Sequence, residues 1–322
     1  MTLVRERRHQ QPLMLSLPPP LPAGEFRHQT HPPPASLSAI SPDSPGIDNL
    51  SDLEKITVLG HGNGGTVYKV RHKRTSATFA LKVLRFDHNT TATIREQASR
   101  EAEILKRVDS PYIVRCYAVF DTEDDLCFAM EHMERGSLHD ILLASKILPE
   151  NVISRVAVCV LKGLQYLHRM KIVHGDIKPS NLLINGKGDV KIADFGVSRI
   201  VVAKEDACEA YMGTCAYMSP ERLDLQGWNE DNGGDGFAGD IWSLGVVILE
   251  CLVGHYPLIG MGEKPEWAAL VYAICFEERL QMPENASPEF QCFVIRCLEK
   301  DWRKRISVDE LLDHPFVSGF DL

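Results

Sequence analysis

The chain carries Gly60-His61-Gly62-Asn63-Gly64-Gly65-Thr66-Val67 between two β-branched-rich stretches, residues 56–59 and 66–70. A dinucleotide-binding glycine fingerprint opens directly into a helix, so a strand on its far side argues against that fold. A glycine loop joining two strands is instead a flap, whose backbone N–H groups can approach phosphates without interference from Cβ atoms. A third short run, residues 78–84, completes an antiparallel beginning. Residues 94–108 then place apolar side chains at helical spacing among many charges, which predicts an amphipathic helix. Beyond Gly136 the pattern is mainly helical. Residues 152–167 and 241–253 have long apolar faces, the second nearly all-round and therefore buried. Strands first and helices afterwards make an α+β protein, and no internal repeat is evident.

Composition narrows the function. Lys and Arg number 35 against 44 Asp and Glu, a formal charge of −9, which disfavours nucleic acid and anionic membrane as partners. The nine cysteines are scattered, without a C-x-x-C pair, so a disulfide framework or zinc ribbon is not expected and a reducing compartment suits them. The longest apolar run, residues 244–253, is interrupted by Gly245 and Glu250 and is too short to span a bilayer. Residues 1–50 hold 10 of the 19 prolines and one aromatic, Phe26, so residues 1–52 read as a disordered tail. Its apolar stretch at Leu13-Met14-Leu15 runs into prolines and is too short for a signal peptide.

Three further elements carry chemistry. Lys82 lies in Phe79-Ala80-Leu81-Lys82-Val83-Leu84. A lone lysine in an apolar strand is ordinarily an edge residue, but behind a glycine flap it is the cation expected for phosphates. Buried, it needs a carboxylate partner, and the following helix offers Glu101 and Glu103. His174-Gly175-Asp176-Ile177-Lys178-Pro179-Ser180-Asn181 and Asp194-Phe195-Gly196 add a carboxylate, an ammonium and two hard oxygen donors. Donors of that kind suit Mg²⁺, which needs few protein carboxylates once phosphates coordinate it.

With flap, strand lysine, helix glutamate, catalytic loop and Asp-Phe-Gly in this order, residues 53–317 resemble the protein kinases. The resemblance implies a bilobal fold, with a small strand-rich lobe over residues 53–134 and a larger helical lobe over residues 135–317. It implies ATP and Mg²⁺ as cofactors. ATP would meet Leu59, Gly60, Gly62, Gly65, Val67, Ala80, Lys82, Glu101, Met130 and Met133, with Glu101 favoured over Glu103 by its spacing to Ile104-Leu105. Asp176 would take the substrate hydroxyl proton, Lys178 would neutralise the transferring group, and Asn181 and Asp194 would hold the metal. Thr214, in Gly213-Thr214-Cys215, marks serine/threonine specificity. Glu221, in Ser219-Pro220-Glu221, would pair with Arg305, and Asp240 would hold the catalytic-loop backbone. Met130-Glu131-His132-Met133, Lys178-Pro179-Ser180-Asn181 and residues 213–222 are similar to mitogen-activated protein (MAP) kinase kinases, in particular plant group D.

That likeness implies a dual-specificity kinase whose protein substrate is a MAP kinase, with an upstream kinase or scaffold as a second partner. In the tail, Arg7 and Arg8 precede Leu13 and Leu15, a basic cluster with alternating leucines that looks like a MAP kinase docking peptide. A monomer in the cytoplasm, with the nucleus as a second compartment, is the expectation. Two departures bear on regulation. Lys204 and Ala210 stand where such kinases carry two phosphorylatable residues, and Gly175 stands where an arginine usually receives the loop phosphate. The rival reading is a pseudokinase scaffold that docks a MAP kinase and transfers phosphate poorly. Lys82, Asp176, Asn181 and Asp194, all present, favour the enzyme.

Overall fold

The computed structural model describes residues 46–62, 65–86, 91–122, 124–200, 215–223, 236–259, 267–277 and 282–318. Strands β1 (Leu53–Gly62), β2 (Gly65–His72) and β3 (Thr78–Arg85) precede helix α1 (Ala92–Arg107), and β4 (Cys116–Asp121) and β5 (Asp125–Glu131) follow it. The five strands form one antiparallel sheet in the order β1-β2-β3-β5-β4. Its register places Gly60 opposite Val67, Val67 opposite Lys82, and Lys82 opposite Phe128. Residues opposed across antiparallel strands share a face, so Val67, Lys82 and Phe128 point the same way, joined by Ala80 and its partner Met130. The other face packs Val70, Phe79, Leu81, Val83, Cys127 and Ala129 into a small core of their own. Only a glycine fits at the β1–β2 turn. Gly65 has φ +99°, and a Cβ there would lie 2.2 Å from the Val83 carbonyl oxygen.

Sequence periodicity anticipates three strands here, and β4 and β5 are additional. The middle of β5, residues 126–129, is buried throughout, so its apolar residues run on without the alternation that identifies a strand. Helix α1 is capped by Thr91, whose Oγ1 accepts the Ile94 N–H at 3.4 Å. It turns Ala98, Glu101, Ala102, Ile104 and Leu105 inward, while Arg100–Glu96 and Arg107–Glu103 pairs one turn apart line its outer surface. Glu101 and Glu103, two residues apart, therefore face opposite environments.

The second lobe contains α2 (Leu138–Ser145), α3 (Glu150–Arg169), β6 (Ile172–Val173), β7 (Leu182–Ile184), β8 (Val190–Ile192), β9 (Arg199–Ile200), α4 (Pro220–Leu223), α5 (Gly236–Val253), α6 (Trp267–Cys275), α7 (Pro288–Cys297), α8 (Val308–Leu312) and α9 (Pro315–Ser318). Local chemistry sets several starts. Ser137 with Asp140 and Ser307 with Glu310 form capping boxes, and Ser287 caps α7 with Pro288 in its first position. Helix α5 is long and apolar enough by length and composition to cross a membrane, yet 67% of it is buried inside the protein. It is a core helix, packed with α3 and α7. The pairs β6–β9 and β7–β8 break the mainly helical pattern expected after Gly136. Strands of two or three residues are too short to carry a periodic signal. They hold the loop between β6 and β7 and the segment between β8 and β9 side by side.

One hydrophobic core runs from α3, α5 and α7 through Phe195 to α1 and Phe128, which gives the bilobal protein kinase arrangement a shared interior. Leu164 on α3 is fully buried in it. Leu164→Ala should cost about 2–5 kcal/mol and lower the thermal unfolding midpoint by roughly 5–15 °C. A midpoint within about 1 °C of wild type, by differential scanning fluorimetry, would contradict this placement of α3.

Candidate functional site

Lys82 Nζ lies 2.7 Å from Glu101 Oε1 and 2.8 Å from Asp194 Oδ1. The strand register aims Lys82 off the sheet, and the inward face of α1 brings Glu101 to meet it. Asp194 follows β8 with φ +67°, a left-handed conformation uncommon for a non-glycine residue and concentrated at functional sites. Burial works against the charge on Lys82, but the two carboxylates outweigh it and hold the ammonium above its ordinary range. For Asp194 burial likewise opposes ionisation, and the Lys82 cation beside it holds the carboxyl below its usual range. Glu101 is the deepest of the three, and burial pushes its carboxyl up despite Lys82. Phe195 is fully buried, its ring packed edge-on against His174 at 5.1 Å between centroids.

The loop between β6 and β7 carries the second group. Asp176 Oδ2 lies 2.7 Å from Lys178 Nζ, and Asn181 Nδ2 donates to both Asp176 Oδ2 and the Asp176 carbonyl at 2.9 Å. The other carboxylate oxygen, Asp176 Oδ1, is buried with no hydrogen-bond partner. A buried acceptor in this condition is costly unless an incoming donor satisfies it. The two groups are joined through Ala193, whose N–H donates to the Asn181 carbonyl at 2.8 Å and whose carbonyl lies 3.2 Å from His174 Nε2.

Asp240, from the first turns of α5, is 1% exposed. Its Oδ2 accepts the His174 N–H at 3.0 Å, its Oδ1 accepts the Gly175 N–H at 2.7 Å, and His168 Nε2 lies 3.0 Å from Oδ2. Burial raises its pKa, but these partners prevail and hold the carboxyl below its ordinary range. Further out, Arg305 makes a two-pronged bond to Glu221, at 2.7 and 2.9 Å, and also donates to the carbonyls of Ala238 and Glu299.

The remaining sequence-derived candidates are placed as follows. Ala80 and Met133 are buried, Met130 is half-buried at the sheet end, and Leu59 is exposed beside the flap. Gly60, Gly62, Gly65 and Val67 form the two sides of the β1–β2 turn. Glu103 pairs with Arg107 outside the cleft. Thr214, Lys204, Ala210, Arg7, Arg8, Leu13 and Leu15 lie outside the described residues. Three contributors were not anticipated. His168 supports Asp240, Arg222 Nη1 donates to the Gly175 carbonyl at 2.7 Å, and Lys191 Nζ bridges both Glu131 oxygens at 2.8 Å, tying β8 to the end of β5. These are contacts between residues far apart in the chain, and no local spacing announces them.

The lowered pKa of Asp240 has a signed consequence. Its stabilising contribution is complete above the unfolded-state value of about 3.9 and is lost as the pH falls through the lower folded value. Asp240→Asn should therefore reduce stability at pH 7 by about 2–4 kcal/mol, with the gap to wild type narrowing between pH 5 and pH 3. Urea unfolding across that range reads the gap directly, and a gap that does not change with pH would contradict the charged carboxylate.

A family model described as protein kinase domain matches residues 53–317. Mitogen-activated protein kinase kinase 10 of Arabidopsis thaliana is 58% identical over 320 residues, covering 99% of this chain and all of the relative. Mitogen-activated protein kinase kinases 9 and 7 of the same plant are 49% and 46% identical, each covering 98% of this chain and 99% of the relative. The sheet, the paired lysine and the braced loop are thus set in a sequence alike along its whole length, and the chain belongs to the protein kinase family, among the plant mitogen-activated protein kinase kinases.

Proposed function

We propose that the protein transfers the γ-phosphoryl group of ATP to threonine and tyrosine hydroxyls of a MAP kinase. The observation that carries this reading is the buried, unpartnered Asp176 Oδ1 beside Lys178 and Asn181, next to the Lys82–Glu101–Asp194 group. An orphaned carboxylate oxygen is an acceptor set for a hydroxyl donor. Asp176 would orient that hydroxyl and take its proton. Lys178 already neutralises the other oxygen of the same carboxylate, which leaves an ammonium at the point where negative charge develops.

The donor set suits ATP with Mg²⁺. Among the described residues no group of three or more His, Cys, Asp or Glu side chains could cage a metal alone. Asn181 and Asp194 instead offer two hard oxygens, the sparse set appropriate to a cation that arrives with phosphates. Bound ATP and Mg²⁺ would supply the phosphoryl group and part of the charge neutralisation. Lys82 would hold the phosphates. Glu101 keeps Lys82 extended into the cleft, and the backbone of Gly60, Gly62 and Gly65 closes over it. Ala80, Val67, Leu59, Met130 and Met133 would supply the apolar surfaces for the base.

We further propose that the loop needs no phosphate. Lys204 and Ala210 offer no hydroxyl, and Gly175 has no side chain to receive a phosphate. The partner would be a MAP kinase engaged through residues 1–52, with Arg7 and Arg8 meeting acidic groups and Leu13 and Leu15 entering apolar pockets. The eight cysteines among the described residues are free thiols, which supports a cytoplasmic location.

Lys82→Met keeps the apolar stem and removes the cation. Glu101, already pushed up by burial, can take a proton in its place, so the fold should survive. Transfer to a purified MAP kinase should fall to background in both Lys82→Met and Asp176→Ala, with thermal midpoints within a few degrees of wild type. Near wild-type turnover in either variant would refute the assigned roles. A wild-type protein that binds a MAP kinase but transfers nothing would favour the scaffold reading.

A further inference from the structure

The residue before Asp176 is a glycine with φ +78°. Glycine adopts this conformation readily and leaves it as readily. Rotation of the Gly175–Asp176 peptide would swing the Asp176 carboxylate away from Lys178 and Asn181. Both polar groups of that peptide are nevertheless held. The Gly175 carbonyl accepts from Arg222 Nη1 at 2.7 Å, and the Asp176 N–H donates to His174 Nδ1 at 3.2 Å. On the other side of Gly175, its N–H is bonded to Asp240.

Arg222 comes from a distant part of the chain and is itself well anchored. It sits in α4 directly after Glu221, which Arg305 grips with two bonds, and its backbone N–H donates to the Ser219 carbonyl at 3.0 Å. Its stem passes Gly239, where a Cβ would lie 3.6 Å from Arg222 Cδ and 3.4 Å from Ser219 Oγ. A Cβ at Gly175 would lie 3.7 Å from Arg222 Nη1, so the guanidinium stands beside the place where a side chain at 175 would begin. A guanidinium stays charged at any working pH, and its bond to a carbonyl is charge-assisted.

We propose that Arg222 is the positioning residue for Asp176. By bonding the Gly175 carbonyl it fixes the peptide that carries Asp176 and couples the Glu221 anchor to the catalytic loop, with no phosphate involved. The inference rests on the kinase reading above only for its kinetic consequence. The structural part stands by itself.

The test uses the full chain made in bacteria and treated with phosphatase, as wild type, Arg222→Met and Arg222→Lys. Amide hydrogen exchange is followed over residues 174–178, and steady-state transfer to a purified MAP kinase is measured with ATP varied. Arg222→Met should speed exchange over residues 174–178 at least tenfold, leaving β1–β3 and α5 unchanged. It should also lower kcat at least tenfold with KM for ATP within twofold of wild type. Arg222→Lys, which keeps a cation on a similar stem, should recover part of both effects. Exchange and kcat within twofold of wild type in Arg222→Met would overturn the proposal. So would a rise in KM for ATP at unchanged kcat. If Arg222→Met fails to fold, Arg222→Lys decides: intermediate exchange and kcat support the brace, and values equal to wild type overturn it. A wild type that transfers no phosphate would defeat the kinase reading, while the exchange comparison would still decide whether Arg222 holds the loop.

Discussion

A carboxylate buried to 1% exposure, that of Asp240, is tolerable only because the chain surrounds it with donors. Two of them are consecutive backbone N–H groups, of His174 and Gly175, so satisfying Asp240 and shaping the loop before Asp176 are one event. The third, His168, ends α3, and α5 supplies Asp240 itself. The two largest helices of the second lobe thereby meet at the loop that the chemistry needs. Once that loop is shaped, His174 packs on Phe195, Asn181 receives Ala193, and Asp194 is delivered to Lys82.

The cleft on the other side is organised by charge. One ammonium faces two carboxylates, with Lys82 and Glu101 buried and Asp194 open to the cleft, and the two buried ions are tolerable because each has the other. Lys82 and Glu101 both belong to the first lobe, and the Lys82–Asp194 pair ties them to the second. In kinases of this kind the catalytic loop and activation segment are usually joined by a phosphate and an arginine. Under the proposed reading, Lys204, Ala210 and Gly175 leave neither half of that contact in this sequence. The described residues supply a different connection, Arg305 to Glu221 and Arg222 to the Gly175 carbonyl, made by two guanidinium groups in place of a phosphate. Under the proposed mechanism such a site is assembled as the chain folds, with no phosphorylation step.

Much of this was legible in the sequence, for physical reasons. The flap needed glycines between strands, and Gly65 shows why, since the Val83 carbonyl leaves no room for a Cβ. The strand and helix patterns placed β1–β3, α1, α3 and α5 within a few residues of their bounds. The hidden parts share one property, which is that they depend on tertiary neighbours. The buried run in β5 has no alternation, and the ladders β6–β9 and β7–β8 are too short for any period. His168, Lys191 and Arg222 look like ordinary surface polar residues until distant segments meet them. The choice between Glu101 and Glu103 came from a family resemblance. In the structure it is the helix face that separates them.

A catalytic apparatus that is complete without a loop phosphate should be indifferent to phosphorylation. The direct measurement compares two samples of the full chain, one treated with phosphatase and one incubated with an upstream kinase, in initial-rate transfer to a purified MAP kinase. Equal rates, within about twofold, are expected. A large gain after incubation, with phosphate mapped between Asp194 and Glu221 and the gain lost when the modified residue is replaced, would contradict a phosphate-independent site.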